Sequence, residues 1–188
     1  MGLAAGRWLN IAVPQTDKQL LAIIETDGCA FDGISVAGGC YIGRRTAWLR
    51  DFGKVAATFI DTHTGRAVRV IPNPTVRIRA IDYAPEAKNR WEGYLLGYQR
   101  MPEEALLTMQ PVELTLSIEA LISQAHYRVH CQVCGEEIIN QREVVQPETG
   151  LIRCRACAGE QYYRHLASAI PLPFSYISET TINQNEPA

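Results

Sequence analysis

The sequence has no run of about eighteen uninterrupted apolar residues, so it offers no candidate for a membrane-spanning helix. It also lacks an excess of either charge: 18 basic residues stand against 20 acidic ones, for a formal charge of −2. That balance argues against a general nucleic-acid binder, which carries a basic surplus. No Gly-rich phosphate loop and no Ser–His–Asp signature occurs, so nucleotide-binding and acyl-transfer machinery find no support. The start is apolar, but Arg7 and Asn10 interrupt it and no small-residue cleavage site follows, unlike a signal peptide. Gly6 stands where the myristoylation pattern wants Ser or Thr. Together these absences predict a soluble, cytoplasmic protein with no membrane contact.

The chain has 188 residues, of which 47% are hydrophobic. That suits one medium domain with a sizeable core plus a small appendage. Six cysteines are present, and four of them form two C-x-x-C pairs, Cys131/Cys134 and Cys154/Cys157. In a reducing compartment such pairs are more often metal ligands than disulfides.

Nineteen residues separate Cys134 from Cys154, within the range of a four-thiolate zinc site. Zinc takes four ligands in a tetrahedron, and two tight turns deliver two sulfurs each. Gly135 follows the first pair, where a knuckle needs positive φ to turn backbone N–H groups toward sulfur. Val144 to Arg153, with a Pro147-Glu148-Thr149-Gly150 turn, reads as a hairpin. Ala158 to Ala169, with Tyr162, Tyr163, Leu166 and Ala167, reads as a helix beginning at the second pair. Knuckle, hairpin and helix is a treble-clef order. Four thiolates leave no open position on zinc, so one Zn2+ here is structural. Iron–sulfur ligation is the competing chemistry. His126 and His130 flank the first pair, and four cysteines make a histidine ligand unnecessary.

Upstream, Leu3 to Val13 reads as a helix closed by Pro14, and Leu20 to Glu25 as a buried strand. A short helix over Cys29 to Ala37, ended by Gly38-Gly39, follows. Tyr41 to Gly43, Thr46 to Leu49, Val55 to Asp61, Ala67 to Ile71 and Val76 to Ile81 are β-like, with a turn at Thr62-His63-Thr64-Gly65. His63 is expected to be an exposed turn residue. Asn89 to Met101 places Trp91, Tyr94, Leu95 and Tyr98 at helical spacing, predicting a core-facing stripe. A second helix opens at Pro102 and runs through Leu107, and Pro111 to Leu116 returns to strand. The predicted fold class is α+β: an antiparallel-sheet core with packed helices, plus a small C-terminal treble-clef, zinc-ribbon-like domain. The expected boundaries are a core over 1–127 that reads as starting inside an element, a finger over 128–170 and a tail over 171–188.

The segment from Thr26 to Cys40 is a second concentration of reactive groups. Cys29 falls in the first helical turn, where free N–H groups stabilise a thiolate. Asp32 shares its helix face, and Asp27 is either the helix cap or a functional carboxylate. Cys40 lies about 16 Å further along an unbroken helix, too far to share one metal with Cys29 unless the chain folds back at the glycines. A pair of ordinary buried thiols is the alternative for Cys29 and Cys40.

The run from Thr26 to Cys40, TDGCAFDGISVAGGC, followed by Asp51-Phe52-Gly53-Lys54-Val55-Ala56-Ala57, resembles the FmdE family of formylmethanofuran dehydrogenase proteins. Cys131-Gln132-Val133-Cys134-Gly135-Glu136-Glu137 and Cys154-Arg155-Ala156-Cys157 resemble the zinc finger of its longer members. The resemblance implies an α+β core with an auxiliary treble-clef finger, homodimers in many members, and a cleft lined by the Cys29 motif that takes a metal. The family name links it to a partner enzyme that fixes CO2 onto methanofuran. The family carries a His- and Cys-containing motif before its first helix, and Met1 to Gly6 match only the tail of that region; either the cleft lacks those candidate ligands or the true start lies upstream of Met1.

Three functions follow. The first is a zinc-binding accessory or redox-related protein with a structural finger, whose core holds a small molecule, a second metal or a redox partner through Cys29, Asp32 and Cys40. The second is an enzyme of one-carbon metabolism, with Cys29 as nucleophile or metal ligand and Asp27 or Asp32 as proton carrier. The third is a finger that binds nucleic acid or protein; between Arg128 and Arg164, five arginines are balanced by five glutamates, which disfavours phosphate contacts.

Overall fold

A computed structural model of the protein describes residues 1–122 and 127–164. His126, Leu166, Ala167 and the expected tail lie outside the described residues. The chain divides into two compact units, Met1–Gln124 and Ala125–Ala188.

In the first unit, five strands form one sheet in the order β2-β1-β3-β4-β5. They are β1 (Leu20–Ile24), β2 (Ala47–Leu49), β3 (Ala57–Asp61), β4 (Ala67–Pro72) and β5 (Leu107–Val112). All five residues of β1 are buried. Successive side chains of a strand point to opposite faces. Accordingly Leu20, Ala22 and Ile24 join Phe59, Val68 and Val70 in one core layer, while Leu21 and Ile23 join Ile60 and Ala67 in another. A continuous apolar run is what a strand covered on both faces requires.

Helices α1 (Gly2–Leu9) and α2 (Gly28–Gly38) supply Ala5, Leu9 and Ile34 to the first layer. The short α6 (Ile118–Leu121) supplies Leu121 to the second. Antiparallel pairing holds from β1 to β3, β3 to β4 and β4 to β5. The sheet is not wholly antiparallel, however, because β1 and β2 pair in parallel. The reason is α2, which carries the chain back along the sheet, and such a crossover returns the next strand in the same direction.

Several local expectations change. Val76 to Ile81 is not a strand: Val76–Ala80 is the helix α3, followed by a 3-10 turn over Ile81–Tyr83. Val76 and Ala80, four apart, are the buried residues of this helix, and the charged residues between them face solvent. Tyr41 to Gly43 leads into a turn rather than forming a strand. Of the two glycines ending α2, Gly39 alone is left-handed, at φ 70°, while Gly38 stays helical. The aromatic stripe of α4 (Arg90–Arg100) is only half a core face, since Trp91 is 71% exposed and Leu95 42%. Tyr94 and Tyr98, their rings stacked at 5.8 Å, do pack on a third cluster of Val76, Ala80, Met101 and Ala105, the last from α5 (Glu103–Leu106). The axes of α3 and α4 approach closely at Gly97, where a Cβ would lie 2.1 Å from the carbonyl oxygen of Ala80.

Candidate metal centre

The described residues of the second unit form two short ribbons: β6 (Arg128–His130) with β7 (Glu137–Ile139), and β8 (Val144–Val145) with β9 (Ile152–Arg153). Cys131 and Cys134 occupy the tight turn of the first ribbon. The Cys131 N–H donates to the Glu136 carbonyl at 2.9 Å, and the Gly135 N–H donates to the Cys131 carbonyl at 2.9 Å. Gly135 has φ 79°, the left-handed conformation expected of the knuckle. Cys154 and Cys157 lie in the turn after β9, where the Cys157 N–H donates to the Cys154 Sγ at 3.3 Å. Gln132 fastens the turns together: its N–H donates to the Ile152 carbonyl at 2.9 Å, and its Oε1 accepts from the Ile152 N–H at 2.8 Å.

The result is that all four sulfurs lie within 4.8 Å of one another. The Cys134 and Cys154 Sγ atoms are 3.9 Å apart. A tetrahedral ion with metal–sulfur bonds of about 2.3 Å has sulfur–sulfur edges of about 3.8 Å. The cluster therefore has the size of a tetrathiolate metal site. Its electrostatics agree. The backbone N–H groups of Cys134 and Cys154 bring the Cys131 thiol down to about 6. Its neighbour Cys157 is pushed up to about 12, chiefly through its hydrogen bond with the Cys154 sulfur. One thiolate is favoured and the last is resisted. A cation at the centre removes that resistance, because it attracts all four charges at short range.

The helix expected from Ala158 onward departs from that reading within the described residues. A single wide turn covers Ala156–Glu160, Gly159 takes φ 115°, and Gln161 is extended. Gly159 breaks the helix because a φ of that value is open to glycine and costly for other residues. His130 lies exposed on β6 and is not one of the clustered ligands.

In the first unit, Cys29 sits in the first turn of α2 and is exposed, as are Asp27 and Asp32. Asp27 holds the cap position, but its side chain makes no capping hydrogen bond. Cys40 is fully buried at the other end of α2, its thiol pushed up to about 11 by burial. Its Sγ donates to the Leu20 carbonyl at 3.5 Å and accepts from Gln15 Nε2 at 3.9 Å. Cys29 lies in the first turn of the unbroken helix α2 and Cys40 just beyond its last residue, Gly38, so the structure does not bring them together. Among the described residues, the four-cysteine cluster is the one group of three or more metal-ligating side chains within reach of a common ion.

What the structure does join is the pair of segments that carry the resemblance. Glu25, at the head of the Cys29 segment, accepts backbone bonds from Phe52 at 2.9 Å and Lys54 at 3.1 Å. Its carboxylate is clamped by Arg69, with Nε to Oε1 at 2.6 Å and Nη2 to Oε2 at 2.8 Å. That hydrogen bonding holds the Glu25 carboxyl below its ordinary range. Neither Arg69 nor Gln15 stood out in the sequence, since each acts through a partner that only the sheet register or a loop contact brings near.

A family model described as FmdE, molybdenum formylmethanofuran dehydrogenase operon, matches residues 1–108, more than half of the chain. The chain belongs to the FmdE family. A protein of Archaeoglobus fulgidus named as a probable S-adenosyl-L-methionine-binding protein is 27% identical over 174 residues, covering 80% of this chain. The chain spans 44% of the length of that relative. The crystal structure of a tungsten formylmethanofuran dehydrogenase FmdE-like protein from Syntrophus aciditrophicus is also similar. It is 21% identical, covers 86% of this chain and 80% of that one, and has a TM-score of 0.53. At that identity the likeness carries the fold, an FmdE-like α+β arrangement. No helix among the described residues is long and apolar enough to cross a membrane.

Proposed function

We propose that this FmdE-family chain is an accessory protein whose four cysteines hold one structural Zn2+, with the first unit supporting a partner enzyme. The observation that carries the reading is the convergence of four sulfurs within 4.8 Å, set against a Cys29 that makes no side-chain hydrogen bond to any described residue. Cys131, Cys134, Cys154 and Cys157 would be the ligands. With all four positions taken by thiolate, the ion supplies folding energy and no open site for substrate. Zinc is favoured over an iron–sulfur cluster because the sulfurs enclose a space the size of one ion.

Cobalt substitution tests this directly. Co2+ added to metal-free protein should give the sulfur-to-metal charge-transfer and visible bands of a tetrahedral tetrathiolate, and Zn2+ should displace it. An octahedral spectrum would contradict the reading.

A second reading rests on Cys29 being exposed in the first turn of α2. Cys29 would then be a nucleophile or metal ligand in a one-carbon reaction. That reading requires faster alkylation of Cys29 than of a free cysteine peptide at pH 7; an equal rate contradicts it.

A further inference from the structure

We propose that the cleft between the end of the sheet and helices α3 and α4 binds a small apolar carboxylate, gripped at its acid group by Arg77. The cleft has a volume of about 300 Å3, at the lower end of the roughly 300–1,000 Å3 typical of small-molecule sites. Val55, Pro72, Val76 and Leu106 form its apolar walls, with Tyr98 and Arg77 as its polar-tipped members. No carboxylate lines it.

The cleft exists because the third core cluster is left open on one side. Val76 is buried in that cluster, whereas Tyr98 and Leu106 are only partly covered. Its two helical walls cannot move closer, since Gly97 already places α4 against the Ala80 backbone of α3. An apolar body of one ring would complete this core, packing against Tyr98 and the aliphatic walls.

The charge of the ligand follows from Arg77. Nearby arginines are engaged: Arg79 donates to the Tyr83 hydroxyl at 3.5 Å, and Arg100 pairs with Glu86 at 2.6 Å. Arg77 has no hydrogen bond or ion pair with any described residue. A guanidinium matches the planar carboxylate with two parallel hydrogen bonds. A phosphate dianion would call for more than one cation, and Arg77 is the one cationic side chain of the lining. The inference stands independently of the metal-binding reading.

The test is an amide NMR titration of the full metal-loaded chain with benzoate, with its neutral analogue benzamide, and with acetate. Benzoate should shift the amides of Val76, Arg77 and Leu107 and saturate, with benzamide and acetate each at least about tenfold weaker. Arg77→Gln should weaken benzoate by at least about tenfold while leaving benzamide unchanged. Val55→Trp, at an exposed rim position, should block both. Unsaturable benzoate shifts, shifts mapping elsewhere, or equal benzoate affinity in Arg77→Gln would each overturn the proposal.

Discussion

The sulfur atoms of Cys134 and Cys154 lie 3.9 Å apart, although nineteen residues separate them in the chain. Little else holds residues 127–164 together, where Cys131 and Ile138 are the buried apolar side chains. A core that small cannot offset the conformational entropy of ordering the segment. Metal binding worth about 10–16 kcal/mol in comparable small domains can. Stripping the metal with a strong chelator should therefore unfold residues 127–164 and spare the sheet. Limited proteolysis with mass mapping checks this: new cuts should fall between Tyr127 and Arg164, and an unchanged cleavage pattern would contradict the metal's structural role.

The Glu25–Arg69 clamp makes a separate prediction about the first unit. Glu25 is largely buried and Arg69 partly so. Glu25→Gln should lower stability by roughly 1.5–3 kcal/mol, the range for hydrogen bonds to a charged group. Because the folded carboxyl titrates below its ordinary value of 4.5, its contribution is complete above that pH. It is lost as pH falls through the lower folded value. Urea unfolding of the wild type should show that loss, and Glu25→Gln should lack this component.

Gly97→Ala tests the contact between α3 and α4. Alanine favours a helix over glycine by up to about 1 kcal/mol, but its Cβ would meet backbone at 2.1 Å. Overpacking should win, with a net destabilisation of roughly 1–3 kcal/mol read from the urea midpoint. A stabilised variant would show that the two helices are further apart.

The two cysteines of the first unit should differ sharply toward iodoacetamide. Cys29 is exposed, whereas Cys40 is buried with its thiol pushed up to about 11 from an ordinary 9.0. That shift alone lowers the thiolate fraction about a hundredfold. Intact-mass analysis of the metal-loaded protein at pH 8 should find Cys29 modified and Cys40 untouched until denaturant is added. Equal labelling would contradict the packing of Cys40 under Leu20.

The parts of this fold that were legible in the sequence are those governed by local pattern. The apolar run Leu20–Ile24 announces a strand buried on both faces, and the spacing of Cys131, Cys134, Cys154 and Cys157 announces the cluster that forms. The parts that were not legible depend on partners distant in sequence. Val76-Arg77-Ile78-Arg79-Ala80 alternates like a strand, yet the Met101 and Ala105 surface buries Val76 and Ala80 four residues apart. Trp91 and Leu95 keep helical spacing with Tyr94 and Tyr98 but lie toward solvent, because α3 covers only part of α4. Arg69 meets Glu25 across 44 positions only because β1, β3 and β4 pair in one register. The cleft at Arg77 was hidden with it, since its walls come from α3, α4 and the ends of strands.

The most direct test of the account is the metal content of the purified protein, measured by elemental analysis on the wild type and on a Cys131→Ala, Cys134→Ala variant. The account predicts one zinc per chain in the wild type and none in the variant. Zinc retained by the variant, or iron in place of zinc in the wild type, would contradict it.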